Sequence, residues 1–331
     1  MSFPLLPESI HVLQNLRALH LDFCELTDVS AIGALRKLEI LSFLGSDIKE
    51  LPREMGNLSH LKVLNLSECD ALQRIPPGLL SSLSHLEELY MFRVHVDWEP
   101  MEGNKEGANA SLAELKSLSN HLMALKFAIP NIEVLPKHIL FENQMIKFQI
   151  SVGERMYDDL AETESYLFKN ELALGRCDIA KSRTLLQLLA KCEILYLRDI
   201  IDLKNIAYEL DKEGFQCLKV LEVRENINVE YVIDATLRQT ACAAFPILES
   251  QHTTHSDILE STPLISYKLF SSTTILWPPN LEELYLNGSN SIEVLFDLEG
   301  LKVNTDRQGI IILSELKHLI VRYSFKLAYM Y

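Results

Sequence analysis

The chain has 331 residues, with 31 Lys and Arg against 46 Asp and Glu, a formal charge of −15. A chain this acidic is a poor vehicle for non-specific nucleic-acid binding, which runs on phosphate neutralisation by Lys and Arg, and its hydrophobic share of 48% excludes disorder throughout. Leucine alone supplies 59 residues, while only 12 Gly and 12 Pro exclude a collagenous or low-complexity chain.

The start, Met1-Ser-Phe-Pro-Leu-Leu, has no basic n-region or continuous apolar core of a secretory signal. No apolar run reaches the roughly 18 residues of a membrane span. Leu5-Leu6-Pro7-x-x-Ile10 reads as the tail of a repeat. The first full copy is Leu16-x-x-Leu19-x-Leu21-x-x-Cys24. Leu38-x-x-Leu41-x-Phe43-x-x-Ser46, Leu61-x-x-Leu64-x-Leu66-x-x-Cys69 and Leu86-x-x-Leu89-x-Met91 follow, at steps of 22, 23 and 25 residues. A period of about 20–29 residues with this string is the leucine-rich repeat.

The physics of the string is direct. In L-x-L the two leucines face one side of a short strand and the middle residue faces the other. A single coil cannot bury its leucines, whereas stacked coils make parallel strands over one continuous core. The Cys, Asn or Ser after the strand turns inward and satisfies backbone at the bend, so Cys24, Cys69 and Cys177 are structural thiols. The return half is legible in Ile48-x-x-Leu51-Pro52, Leu72-x-x-Ile75-Pro76 and Ile132-x-x-Leu135-Pro136, where Pro ends local pairing. Residues 53–58 and 78–83 then read as short helical turns.

After residue 92 the array becomes irregular. Residues 97–111 are a polar insertion, expected as a surface loop, and residues 153–165 are an acidic excursion. Strand copies resume at Leu122-x-x-Leu125-x-Phe127, Met145-x-x-Phe148-x-Ile150 and Lys169-x-x-Leu172-x-Leu174-x-x-Cys177, the last with Lys where the anchor Leu belongs. Residues 178–190 read as an amphipathic helix. Cys192-x-x-Leu195-x-Leu197 and Leu218-x-x-Leu221-x-Val223 are clear copies, and Leu281-x-x-Leu284-x-Leu286 and Leu316-x-x-Leu319-x-Val321 restore the row after a poor stretch at 249–276. The fold expected is an α/β leucine-rich repeat solenoid of 11 strand positions, a curved horseshoe with parallel strands on the concave face and short helices on the convex face. It forms one repeat domain over 1–331, regular over 1–137 and irregular over 138–331. Neither end shows a polar capping unit, so the reading expects a piece of a larger protein or covered ends.

The strings LPESIHVLQNLRALHLDFCEL, IKELPREMGNLSHLKVLNLSECDALQRIPPGLLSSLSHLEELYM, WEPMEGNKEGANASLAELKSLSNHLMALKFAIP, DKEGFQCLKVLEV and LSELKHLIVRYSFKL resemble the leucine-rich repeat region of plant coiled-coil, nucleotide-binding, leucine-rich repeat disease-resistance proteins. The resemblance covers most of 1–241 and 277–331. It implies protein partners: a pathogen effector or a guarded host protein, and the nucleotide-binding switch domain that such repeats restrain. It also implies a cytoplasmic, non-enzymatic module in defence. No G-x-x-x-x-G-K-[ST] loop occurs, so no nucleotide-binding domain and no cofactor are assigned.

The concave face is the expected binding surface. The middle residues of the L-x-L copies are His20, Ser42, Asn65, Tyr90, Lys126, Gln149, Ala173, Tyr196, Glu222, Tyr285 and Ile320, and their neighbours two along include Asp22, Phe92, Arg198, Arg224, Asn287 and Arg322. Tyr and Arg dominate interface hot spots, which singles out Tyr90 with Phe92 and Tyr196 with Arg198. Each position taken singly also fits a solvated strand residue. No catalytic signature stands out, and His252-x-x-His255 lacks the Glu of a zinc-protease helix, so no metal site is assigned. The acidic surplus, Glu282 and Glu283 included, is expected to oppose a basic neighbouring domain. Two other readings compete: a stand-alone or truncated repeat adaptor or decoy, and an extracellular receptor using the sequons at Asn57, Asn65, Asn109 and Asn287. Against the second, Gln73-Arg74-Ile75-Pro76 lacks the Gly of a G-x-I-P step.

Overall fold

The computed structural model describes residues 6–99, 109–135, 147–153, 169–179, 182–204, 206–210, 215, 217–226, 229–230, 233–234, 280–288, 292, 296–297 and 315–322. In chain order the strands are β1 (Ala18–His20), β2 (Ile40–Ser42), β3 (Val63–Asn65), β4 (Glu88–Met91), β5 (Ala124–Ile129), β6 (Lys147–Val152), β7 (Glu171–Gly175), β8 (Ile194–Arg198), β9 (Val220–Arg224), β10 (Ile233–Asp234), β11 (Glu283–Asn287), β12 (Phe296–Asp297) and β13 (His318–Arg322). Eleven of them form one parallel sheet in sequential order, while β10 and β12 pair separately. The eleven coincide with the eleven L-x-L positions of the sequence.

Each coil sends its leucines into one core. Leu38, Leu41, Leu61, Leu64, Leu66, Leu86, Leu195, Leu218, Leu221, Leu281 and Leu284 are fully buried. The convex side is built from short 3-10 turns at Ser30–Ala34, Arg53–Asn57 and Leu112–Leu118, and from the helices α1 (Leu79–Ser82), α2 (Arg183–Leu189) and α3 (Ile206–Leu210). The turns expected after Pro52 and Pro76 are present. Pro52 stays extended (φ −74, ψ 146) and starts the turn with its carbonyl accepting from the Met55 amide at 3.2 Å. The helix expected over 178–190 starts later, because the Ser182 side chain accepts from the Leu185 amide at 3.2 Å and caps the chain there. The insertion at 97–111 is anchored at its described ends, where Asp97 itself is exposed. Trp98 and Ala110 are buried, and Asn109 clamps the preceding coil by accepting from the Ile75 amide at 3.2 Å and donating to the Gln73 carbonyl at 3.4 Å. Residues 100–108, the acidic excursion beyond Gly153, and His252 with His255 lie outside the described residues.

Register changes once along the sheet. From β1 to β6 the L-x-L middles pair directly, as in Asn65 with Tyr90 and Lys126 with Gln149. Between β6 and β7, Gln149 pairs with Glu171 and Ser151 with Ala173, so Leu172 sits beside Ile150 and not beside Phe148. A one-residue slip would throw every leucine out of the core, but a two-residue slip preserves the alternation of faces. The six-residue strands β5 and β6 make it possible. Leu125, Phe127 and Ile129, then Phe148, Ile150 and Val152, each put three side chains into the core. The upstream coils match the first two of each triplet and β7 matches the last two. Close by, Gly153 has φ +111, and a Cβ there would lie 1.8 Å from the Gly175 carbonyl oxygen. Lys169 is exposed at the strand entrance, although the β7–β8 register lines it up with the buried anchor Cys192 of the next coil.

Two ladders link successive coils. At the bend after the strand, Ser46 Oγ donates to the Leu21 carbonyl and accepts from the Cys24 amide at 3.0 Å. Cys69 Sγ donates to the Phe43 carbonyl at 3.0 Å, and Asn226 donates to the Leu197 carbonyl at 3.1 Å while accepting from the Ile200 amide at 2.7 Å. Cys69 and Cys177 are buried as expected of structural thiols, and burial pushes them up to about 11 and about 12. At the strand entrance, ion pairs join Arg17 to Glu39, Lys62 to Glu87, Lys147 and Lys219 to Glu193, and Lys317 to Glu282. Opposite signs thus face each other on neighbouring coils at both ends of the sheet, while Lys147 reaches Glu193 past β7. Such surface pairs add little stability singly, but they penalise mismatched stacking. Glu282 therefore has a partner within the solenoid, and Lys317 holds its carboxyl below the usual range.

Candidate protein-binding face

The register divides the expected row of outward residues in two. His20, Ser42, Asn65, Tyr90, Lys126 and Gln149 form one line across β1–β6. Ala173, Tyr196, Glu222, Tyr285 and Ile320 form another, two residues further along the strand direction and in line with Ser151. The single stripe read from the sequence is therefore two offset stripes, because the slip at β6–β7 keeps the face but changes the height.

Several candidates have internal tasks. Asp22 Oδ1 accepts from the Leu44 amide at 3.1 Å and from the Ser42 hydroxyl, and its other oxygen lies 3.7 Å from His20 Nδ1. Asn65 accepts from the Ser67 amide at 3.0 Å. Tyr90 donates to Glu88, Tyr285 donates to Glu283 at 2.7 Å, and Arg224 donates to Glu222 at 2.6 Å. These are partners two residues apart on one strand, on the same face. The Glu283 carboxylate raises the Tyr285 phenol above its usual range, by its hydrogen bond first and by burial second. Arg198 meets Glu225 of the next coil with Nε and a terminal nitrogen at 3.1–3.2 Å.

The centre of the face is filled. Phe92, expected as an exposed anchor, is 4% exposed. It packs with Ala173 and Tyr196 in a small cluster apart from the leucine core. Ala128, Ser151 and Ala173 are buried small residues on adjoining strands, and they leave room for the ring. Lys126 Nζ stands 4.4 Å from the Phe92 ring centroid and the Arg93 guanidinium 5.4 Å, within the range of cation–π attraction. The two favoured pairs, Tyr90–Phe92 and Tyr196–Arg198, thus meet through Phe92 and Tyr196. Beside them Gln149 donates to the buried Glu171 carboxylate at 3.0 Å. Glu171 was not among the expected face residues although it flanks Leu172 on the face of Ala173, and the written frame does not place it beside Gln149. The signal that exposes it is the third apolar residue of β5 and β6, which moves the frame by two.

A single sheet of parallel strands in sequential order, one L-x-L per coil, settles the architecture. The chain is a leucine-rich repeat solenoid. No family model matches it. It is 27% identical over 321 residues to a disease resistance protein of Arabidopsis thaliana, an alignment that takes in 86% of this chain and 31% of that protein. The resemblance read from the repeat strings is thereby borne out for a plant disease resistance protein. This chain spans about a third of that relative's length. A 77-residue stretch is 40% identical to the platelet glycoprotein Ib alpha chain of Mus musculus, covering 23% of this chain and 10% of that one. Among solved structures, the Toll–Spatzle complex of Drosophila aligns with a TM-score of 0.49 at 11% identity, over 98% of this chain and 40% of that one. An internalin of Listeria monocytogenes aligns at 0.41 and 13% identity, over 98% of this chain and 76% of the other. Among the described residues no helix is long and apolar enough to cross a membrane.

Proposed function

We propose that this chain is the protein-interaction module of an intracellular plant immune receptor. In this reading it acts in the cytoplasm, contributes to recognition of a pathogen effector or a guarded host protein, and restrains a nucleotide-binding switch domain. The observation that carries the reading is the similarity to a plant disease resistance protein along 86% of the chain, joined to a strand face bearing Tyr90, Tyr196, Arg198, Arg224 and Tyr285. Those residue types concentrate binding energy at interfaces, and the face as a whole is proposed as the contact surface. The work assigned to it is binding, with no covalent chemistry.

The test is co-expression in plant cells of the 331-residue chain with a separately expressed nucleotide-binding domain of the same receptor group. The two are expected to co-purify, and Tyr196→Ala with Arg224→Ala is expected to reduce recovery while the chain still accumulates. Absence of any association would remove the restraint role. Association that ignores those substitutions would move the contact off the concave face.

A further inference from the structure

The charge pattern of the concave face points to the chemistry of a partner. At the strand entrance opposite charges face each other over the first four strands and the last four. Arg17 faces Glu39, Lys62 faces Glu87, Glu193 faces Lys219, and Glu282 faces Lys317. At the far end of the strands this pattern is broken. Arg198 pairs in register with Arg224, Arg224 with Asn287, and Asn287 with Arg322. Like charges placed directly opposite on a sheet destabilise it. Three arginines on four successive strands of a chain with net charge −15 run against both the composition and the local rule.

We infer that the C-terminal half of the concave face takes an acidic polypeptide segment whose carboxylates seat on the row Arg198, Arg224 and Arg322. The inference rests on the concave face being the binding surface and names the partner's chemistry. Guanidinium groups bind carboxylates through paired N–H donors. In the free protein Arg198 pairs with Glu225, and Arg224 pairs with the mostly buried Glu222. Glu225 is 61% exposed, and an exposed pair of this kind is weak enough for a ligand carboxylate to exchange with it. One step inward along the strands lie Tyr196, Glu222, Tyr285 and Ile320, in register with one another. Tyr196 and Tyr285 are half-buried and give flat apolar area beside the cations. A segment lying across the strands would set acidic side chains over the arginines and intervening apolar ones over the tyrosines.

The experiment is fluorescence anisotropy of the 331-residue chain with labelled short peptides alternating Glu and Leu, against versions with Gln or Lys in place of Glu. The Glu peptide is expected to bind at least about tenfold tighter than the Gln peptide, to weaken with salt, and to lose at least about tenfold with Arg224→Glu. Arg224→Gln removes the charge without inverting it and is expected to lose several-fold, with circular dichroism showing an intact fold. No binding of the Glu peptide overturns the inference. Equal binding of Glu and Gln peptides, both weakened by Tyr196→Ala, overturns the acidic partner and leaves the concave-face reading standing. Binding indifferent to Tyr196→Ala, Arg198→Glu and Arg224→Glu overturns both.

Discussion

Asn226 offers a sharp test of how the coils are joined. Its side chain is fully buried and makes three bonds: it accepts from the Ile200 amide at 2.7 Å and donates to the carbonyls of Leu197 and Arg224 at 3.1 and 2.9 Å. Asn226→Leu keeps the branched shape, adds some bulk and removes these three bonds. The Ile200 amide and Leu197 carbonyl are then stranded, each costing about 1–3 kcal/mol, for a total of about 2–6 kcal/mol. Asn226→Ser should be far milder, about 1 kcal/mol, because Ser46 makes the equivalent two bonds with a hydroxyl at the corresponding bend. The assay is urea unfolding followed by circular dichroism, with hydrogen exchange at the Ile200 amide as a local reading, since a repeat array unravels in parts. An Asn226→Leu protein within about 0.5 kcal/mol of the parent would refute the hydrogen-bond account, as would a serine variant worse than leucine.

Other outcomes follow from the same geometry. Glu68 has φ 60, and a non-glycine residue in this region carries about 1 kcal/mol of strain, so Glu68→Gly should raise the urea midpoint slightly. Gly153→Ala should lower it by more, because the new Cβ would meet the Gly175 carbonyl at 1.8 Å. Burial alone would raise the Glu193 carboxyl, but the Lys219 hydrogen bond, the Asn170 amide and the charges of Lys219 and Lys147 together hold it below the ordinary 4.5. Its folded value is the lower one, so it contributes stability above 4.5 that is lost as pH falls through the folded value. Glu193→Gln should therefore flatten the acid limb of a stability-versus-pH curve. In a thiol titration of the native protein, exposed Cys217 should react ahead of the buried Cys69, Cys177 and Cys192, which should need denaturant.

Much of the fold was legible because one leucine spacing fixes one parity, and parity fixes which side chains enter the core. Eleven strand positions, the turns after Pro52 and Pro76, and the buried thiols all follow from it. The two-residue slip at β6–β7 was not legible from the motif, because it changes height without changing parity. Its trace is present all the same, in Ile129 and Val152 as third apolar residues and in Gly153 opposite Gly175. The candidate face was read less completely. Sequence spacing identifies Tyr196, Arg198, Arg224 and Tyr285 as outward, but it does not reveal that Phe92 folds down over small residues on neighbouring strands. Nor does it reveal that Asp22 and Asn65 spend their oxygens on local amides. Those outcomes depend on which side chains stand next door in register. Asn226 follows Leu221-x-Val223 at the motif spacing, so its place at the bend could have been read.

The central claim is that the concave strands do the protein's work. The most direct test is complementation in a plant line lacking the gene, scored by pathogen growth and local cell death, with variant genes accumulating to equal levels. The account predicts that Tyr196→Ala with Arg224→Ala fails to restore resistance, whereas Arg53→Ala with Glu54→Ala on the convex side restores it. A concave variant that restores resistance like the parent gene, or a convex variant that fails equally, would contradict it.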